Sequence, residues 1–365
     1  MATQNSNAGV PIIIWPESDL QRVRLLELPA ELLSLVTAEN PPSLQIKSKQ
    51  VLDSSNAKEA HSVLCTPDTT YQIRQVSTSN SVYLIRPHDI ADPSHNNDGV
   101  PERGALLLPP QTGVEAVAKC DTTIELLPTS ASSAVPYIKA ALPTYASTGN
   151  YGSTSTGSVT KRELISHIPL SEAECEAGWR ELACFESQQE PPGSYIPSAK
   201  VKVEVWQSAL TVAVADGFDV RSPFPENETP PFAIDLPGDW PHEVVVGVFA
   251  SVSSPTPGGH LAVDEQKAVR LTGINLLQAK SEGRPIEATA FLKAWRDAVP
   301  EAWRDKCEFA VLQGYYSLQD NAKSIKFIDT TAATTAAAAA SAKEAKSLGA
   351  KRKWHEKFRA SKKTA

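Results

Sequence analysis

Gly152-Ser-Thr-Ser-Thr-Gly157-Ser158 has the glycine spacing that opens a phosphate-binding loop, where backbone amides cradle phosphates. That chemistry needs a lysine where this chain has Ser158. It also needs a strand before the loop and a Walker B strand elsewhere, and neither is evident, so the segment reads as a flexible linker. His242-Glu243 lacks the second histidine at helical spacing that a zinc protease requires. No G-x-S-x-G elbow occurs, and no cysteine has a recognisable Cys/His setting. Glu172/Glu174 and Glu226/Glu228 are paired carboxylates, but with no pocket to perturb them they read as helix caps and solvated loop charges. Cysteines 65, 120, 175, 184 and 307 contain no C-x-x-C pair, so spacing builds no zinc site. They read as small buried hydrophobes of a reducing compartment. The expectation is a non-enzyme with no cofactor, metal or catalytic residue.

Charge directs attention to the tail. From Lys343 onward nine Lys/Arg accompany two acidic residues, a net +7, whereas residues 1–342 carry 26 Lys/Arg and 40 Asp/Glu, a net −14. A body of that sign is no general nucleic-acid-coating surface. The tail can meet an anion, with Lys351, Arg352, Lys353, Lys357, Arg359, Lys362 and Lys363 as candidate DNA contacts; a nuclear import signal is the competing reading. No apolar run approaches the ~20 residues of a membrane span. MATQNSNAGV lacks the basic and apolar regions of a signal peptide, which gives a cytosolic or nuclear expectation and no membrane partner.

Residues 10–128 read mostly as β-structure. Short candidates fall at Ile12–Trp15, Arg22–Leu28, Leu44–Lys47, Ser62–Cys65, Tyr71–Val76, Val82–Ile85, Ala105–Leu108 and Cys120–Leu126, with one helical turn after Pro29. In HSVLCTPDTTYQIRQVSTSNSVYLI (61–85), Thr66-Pro67-Asp68-Thr69 suits a type I turn and Thr78-Ser79-Asn80 a second turn, which predicts a three-strand meander. Its only charges are Asp68 and Arg74, so the sheet is expected to be covered by something. Regular strand spacing argues for a sandwich or an incomplete barrel. Open edges of such a barrel invite a partner strand. Tyr71, Ile73, Arg74, Val82 and Leu84 are the candidate partner-binding residues.

Beyond a Ser/Thr/Ala/Gly-rich linker (129–159, with a helical island at Val135–Leu142), the period changes from two to about 3.6. A short helix is expected over Thr160–Ile168. Ser171-Glu-Ala-Glu174 is a capping box opening a helix with Cys175, Trp179, Leu182 and Ala183 on one stripe, and a further helix covers Ala199–Ala215. Residues 160–218 form this first helical domain, and 219–241 read as a Pro-rich linker. In 242–329, helices are expected at His242–Ser251, after Asp264 as cap, at Thr289–Val299 and at Glu301–Gln313. Gly314 stops the last, and two strand-like runs follow. Three helices ending in a β-hairpin is the winged-helix arrangement. Trp295 and Trp303 read as core, and Arg296 and Arg304 as exposed. Residues 330–365 combine Thr/Ala low complexity with the basic tail. The fold class expected is α+β and multidomain: an N-terminal β-rich incomplete barrel (1–128) that pairs with partner chains, tandem winged-helix domains, and a basic tail.

LLELPAEL, VLCTPDTTY with TSNS, the S-x-x-E helix around Trp179, and FLKAWRDAVPEAW with LQGYY follow one another in an order that resembles the Dcc family. Members of that family are sister chromatid cohesion subunits of an alternative, cohesion-type replication factor C clamp loader. The resemblance is specific over residues 61–85 and FLKAWRDAVPE. It implies an ATPase-free subunit whose β half pairs with the small Ctf subunit and the C-terminal end of the large one, completing a composite barrel. It also implies winged helices facing DNA and polymerase epsilon, an indirect link to the sliding clamp, and a nuclear location. Trp354-His355-Glu356-Lys357-Phe358 looks like the start of a third winged helix that the family usually has, yet the chain stops seven residues later. The alternative function is a winged-helix transcription or chromatin regulator. Five Glu and a single Arg (Arg180) across Glu172–Glu186 weigh against DNA reading by that first helix.

Overall fold

The computed structural model describes residues 12–14, 20–21, 23–48, 62–89, 112–129, 133–146, 159–188, 192–226 and 228–329. The chain divides into two units, Met1–Ser130 and Ala131–Ala365.

The first unit is built on one long hairpin. Its elements are β1 (Ile12–Ile14), β2 (Leu25–Glu27), α1 (Ala30–Val36), β3 (Gln45–Ser48), β4 (Ser62–Cys65), β5 (Thr70–Asp89) and β6 (Thr112–Pro128). The sheet order is β1-β6-β5-β4-β3, and β2 also pairs with β6. β1 and β2 lie in turn along one edge of β6, both parallel to it, through Ile12↔Val114 and Leu25↔Thr123. The other pairs are antiparallel, and the sheet curls into a half-barrel.

The turn expected at Thr66–Thr69 forms. The Thr66 hydroxyl accepts the Thr69 amide at 2.9 Å and the Asp68 amide at 3.3 Å, and the Thr66 amide donates to the Thr69 carbonyl at 2.9 Å. The second turn does not form: β5 runs on through Thr78-Ser79-Asn80, so two strands replace the three-strand meander. Its partner β6 continues alongside and holds the backbone extended. The small polar residues are absorbed as an irregularity in which register passes from Ser77↔Thr122 to Val82↔Cys120, and the Ser81 hydroxyl donates to Asp121 at 2.9 Å. Such bulges bend and twist a strand, which favours curling. After Pro29 the helix makes two turns, not one, because Leu32 on its inner face packs on Leu64, Tyr71 and Leu126 to form the core of this unit. The strand expected at Ala105–Leu108 lies outside the described residues.

The second unit follows with α2 (Val135–Ala141), β7 (Thr144–Tyr145), α3 (Lys161–His167), α4 (Glu172–Glu181), β8 (Phe185–Ser187), β9 (Gly193–Pro197) and α5 (Ala199–Asp216). Then come β10 (Phe224–Pro225), a 3-10 turn (Pro231–Ala233), α6 (His242–Val252), β11 (Ser253–Pro255), β12 (His260–Val263), α7 (Glu265–Ser281), β13 (Ile286–Glu287) and α8 (Ala288–Asp297). Two 3-10 segments (Glu301–Lys306, Phe309–Leu312) lead into the hairpin β14 (Tyr316–Gln319) and β15 (Ser324–Phe327). Local chemistry sets the starts. Ser171 Oγ accepts the Glu174 amide while Glu174 takes the Ser171 amide at 3.1 Å, and Asp264 accepts the Lys267 amide at 3.0 Å. Asp320, Asn321 and Ala322 all have positive φ, which closes the hairpin.

The helix expected over Glu301–Gln313 is broken. Cys307 and Glu308 leave helical dihedrals, and this dip buries Cys307 and Leu312. Where the sequence reads a Pro-rich linker at 219–241, Phe224 and Phe232 pack edge-on against Phe249 of α6, with ring centroids 6.5 and 5.4 Å away. A single hydrophobic core runs from Tyr145 through α5 and α6 to Ile325, joining the stretches read as separate helical modules. Trp206 of α5 ties them further, its indole N–H donating to the Ala298 carbonyl at 2.9 Å. A smaller core around Ile138, Leu164, Cys175 and Trp179 anchors α2 to α4.

Candidate partner-binding surface

β4 pairs with β5 only from Thr70 to Gln72, so from Ile73 onward β5 has no strand on that side among the described residues. A run of unpaired N–H and C=O groups is a template for another strand. On this stretch Val82, Tyr83, Leu84 and Ile85 are 44%, 39%, 37% and 57% exposed. Consecutive strand residues point to opposite faces, so both faces here present large apolar side chains to water. Beneath them β6 offers small buried residues, Ala116, Ala118 and Cys120, with the register shifting again between Leu84↔Ala118 and Ile85↔Ala116. Next to this apolar run, Arg86 pairs with the buried carboxylate of Glu115. Ile12, Ile14, Leu26, Ile46 and Leu127 add further exposed apolar surface to the same unit. Clusters of this kind mark interaction surfaces more than isolated surface leucines do.

The five residues predicted from sequence separate into three groups. Tyr71 is buried in the unit's own core and Ile73 packs against it, so both support the sheet instead of facing outward. Burial, with the charge of Glu31 as a lesser cause, raises the Tyr71 phenol above its ordinary pKa. Val82 and Leu84 lie on the uncovered stretch. Arg74 is exposed, with Glu125 at 4.0 Å on the neighbouring strand, a spacing that contributes little in water. Tyr83 and Ile85, which strict alternation would send to the opposite face from Val82 and Leu84, were missed by sequence reasoning. The signal that could have found them is the unbroken Val-Tyr-Leu-Ile run, since one-sided burial would predict alternation. Lys351, Arg352, Lys353, Lys357, Arg359, Lys362 and Lys363 lie outside the described residues, as does Trp354–Phe358.

The groups weighed for catalysis are occupied structurally. Glu174 completes its capping box, Glu226 pairs with Arg180 at 2.7 Å, and the His242 ring nitrogen meets the Thr229 hydroxyl at 2.9 Å. No three His, Cys, Asp or Glu among the described residues are placed to hold a metal ion. All five cysteines are buried thiols outside any disulfide, in keeping with the reading of them as small buried hydrophobes. No helix of the described residues is long and apolar enough to cross a membrane.

A family model described as sister chromatid cohesion protein Dcc1 matches residues 23–336. The chain belongs to the Dcc1 family. No curated protein matches the chain. The Dcc1 match takes in β2, α1, the whole β5–β6 hairpin and the second unit through β15, and so covers Tyr71, Ile73, Arg74, Val82 and Leu84. The basic residues from Lys343 onward fall beyond it. Membership in the Dcc1 family implies a role in sister chromatid cohesion.

Proposed function

We propose that this protein is a non-catalytic subunit of the cohesion-type alternative replication factor C clamp loader, acting in the nucleus during DNA replication. In this reading its first unit joins the large and small Ctf-type subunits by strand addition, completing the half-barrel. The observation that carries the reading is the β5 edge beyond Gln72, which has no pairing strand on that side among the described residues and is apolar on both faces at Val82–Ile85. The loader's link to polymerase epsilon, and its indirect link to the sliding clamp, follow from the family resemblance. The second unit is read as tandem winged helices: α6, α7 and α8 followed by the β14–β15 hairpin give the helix-and-wing order.

Co-expression with the two Ctf-type subunits tests this directly. The double variant Leu84→Asp/Ile85→Asp is expected to weaken the ternary complex at least ~10-fold, because charged carboxylates would have to be desolvated in the joint. The isolated chain should keep its melting behaviour within ~0.5 kcal/mol, since both residues are exposed in it. Wild-type affinity of that variant for both partners would remove the β5 edge from the interface.

Weak DNA binding is assigned to the basic tail. Deleting residues 343–365 removes nine Lys/Arg and is expected to abolish the salt-sensitive component of duplex binding in a titration at two ionic strengths. Unchanged affinity after the deletion would move the DNA contact to the helical unit.

A further inference from the structure

A cleft of about 360 Å³ opens in the second unit between α2, the end of α4, the start of α5, α7 and the β14–β15 hairpin. Its walls are mixed, with Leu182, Ile196, Leu271 and Ile274 on the apolar side and Glu181, Asn275, Gln278 and Tyr315 among the polar groups that converge on it. Its size is within the range of binding sites for small groups. Two lysines line it. Lys139 is already matched, its ammonium 3.2 and 3.3 Å from the two Asp329 carboxylate oxygens. Lys202, in the first turn of the 18-residue helix α5, makes no side-chain hydrogen bond and no ion pair among the described residues, although it is partly buried. A desolvated ammonium without an acceptor is unfavourable, and most such groups in folded proteins have a counter-ion.

We propose that this cleft binds a single carboxylate group carried on an apolar stem, with Lys202 as its counter-ion. One negative charge answers the ammonium that has no carboxylate within ion-pair distance among the described residues, in a cleft whose other charges are the Lys139–Asp329 pair and Glu181. A phosphate dianion would add a second, uncompensated charge beside Glu181 and Asp329, which also line the cleft. The α5 N-terminus, whose Ser198 side chain accepts the Val201 amide at 3.3 Å, adds favourable potential for an anion. Asn275, Gln278 and Tyr315 supply neutral hydrogen-bonding groups for the remaining carboxylate lone pairs. The apolar side of the cleft, formed by Leu182, Ile196, Leu271 and Ile274, favours a ligand with a hydrocarbon stem over a bare inorganic ion. Such a carboxylate can come from an acidic side chain of a bound peptide or from a small aliphatic acid.

Binding is coupled to protonation. Desolvation, and to a lesser degree repulsion from Lys139, hold Lys202 down at about 8, while Glu181 is the nearby acidic charge that opposes this and the Cys184 thiol is neutral in this range. A carboxylate arriving at the ammonium raises that value. Affinity is therefore highest around neutral pH, where the carboxylate is ionised and Lys202 is protonated, and falls as the free lysine loses its proton through pH 8.

The test uses the full chain labelled with 13C at the lysine ε-carbon, with the Lys202 resonance assigned by its loss in Lys202→Arg. Four probes are titrated: N-acetylglutamate methylamide, hexanoate, N-acetylglutamine methylamide and inorganic phosphate. The expected result is saturable movement of Lys202 by a carboxylate probe, with its titration shifted upward, and the tighter of the two carboxylates names the source. Lys202→Gln should weaken that probe ~10- to 100-fold, the worth of a charge-assisted hydrogen bond, while Lys202→Arg retains binding. Equal response to the glutamine analogue, tighter binding of phosphate, or no saturation by either carboxylate in the millimolar range overturns the proposal.

Discussion

Replacing Trp295 by alanine is expected to lower the unfolding free energy of the second unit by roughly 3–5 kcal/mol, the cost typical of deleting a fully buried large aromatic. Trp295 has no exposed surface, stacks on Phe291 at 5.9 Å between centroids, and donates its indole N–H to the Val269 carbonyl at 2.9 Å. Its ring lies against Gly273 of α7, where an added Cβ would come within 2.6 Å of the indole Cε2 and 2.9 Å of Leu312. The close approach of α7 and α8 therefore depends on glycine on one side and tryptophan on the other. Gly273→Ala should cost ~1–3 kcal/mol by overpacking, and Trp295→Phe, which keeps much of the volume but loses the donor, should fall between wild type and alanine. Against a total of about 5–15 kcal/mol for a typical domain, the alanine variant removes a large share of the stability. Urea unfolding followed by far-UV circular dichroism measures it. A loss below ~1 kcal/mol would show that the two helices close the cavity by moving together.

Lys202→Met is expected to stabilise the chain at pH 7 by ~1–3 kcal/mol, less than the full linkage value because the side chain is partly exposed. The folded-state pKa, about 8, lies below the ordinary lysine value of 10.5, so the charged lysine opposes folding below pH 8. Between 8 and 10.5 the unfolded chain binds more protons, and stability contributed by this group rises with pH. Cys184 and Cys307 act in the opposite sense: burial pushes their thiols up to about 12 and about 11 from an ordinary 9, so their contribution is lost as pH rises above 9. Wild-type stability should therefore increase from pH 8 to 9 and then flatten or decline. In Lys202→Met the rise should vanish and the decline above pH 9 should remain. Chemical denaturation at half-unit pH intervals separates the two, and a variant curve parallel to wild type from pH 8 to 9 would exclude Lys202 as the source.

The helical unit was more legible in the sequence than the sheet. Ser171 and Asp264 announce their helices because an N-cap is decided within four residues, and both caps form; Thr160 also caps the short helix expected over Thr160–Ile168. Turn chemistry proved less decisive. Pro67 and Asp68 reverse the chain, whereas Thr78-Ser79-Asn80 carries similar signals and stays extended, because a partner strand already stood beside it. The opening half of β6 went unread, since Thr112–Lys119 mixes glycine, alanine and charge with little β-signal of its own and gains its conformation from β5. Phe224 and Phe232 were hidden among prolines, where isolated aromatics have no period to reveal burial. At the candidate surface, the scarcity of charge in residues 61–85 raised the expectation of a covered sheet without locating the uncovered stretch. Only topology shows that the pairing of β4 with β5 stops at Gln72 and leaves Val82–Ile85 without a second neighbouring strand among the described residues.

The five buried thiols make the chain its own unfolding sensor. Two of them, Cys65 and Cys120, belong to the first unit, and Cys175, Cys184 and Cys307 to the second. None is reachable by an alkylating reagent until the segment holding it opens, and none needs to be engineered in. A time course of alkylation read by peptide mass would thus clock local opening in each unit separately. Protection of Cys120, which sits opposite Val82 in the hairpin, would report occupancy of the open edge without any label on the partner.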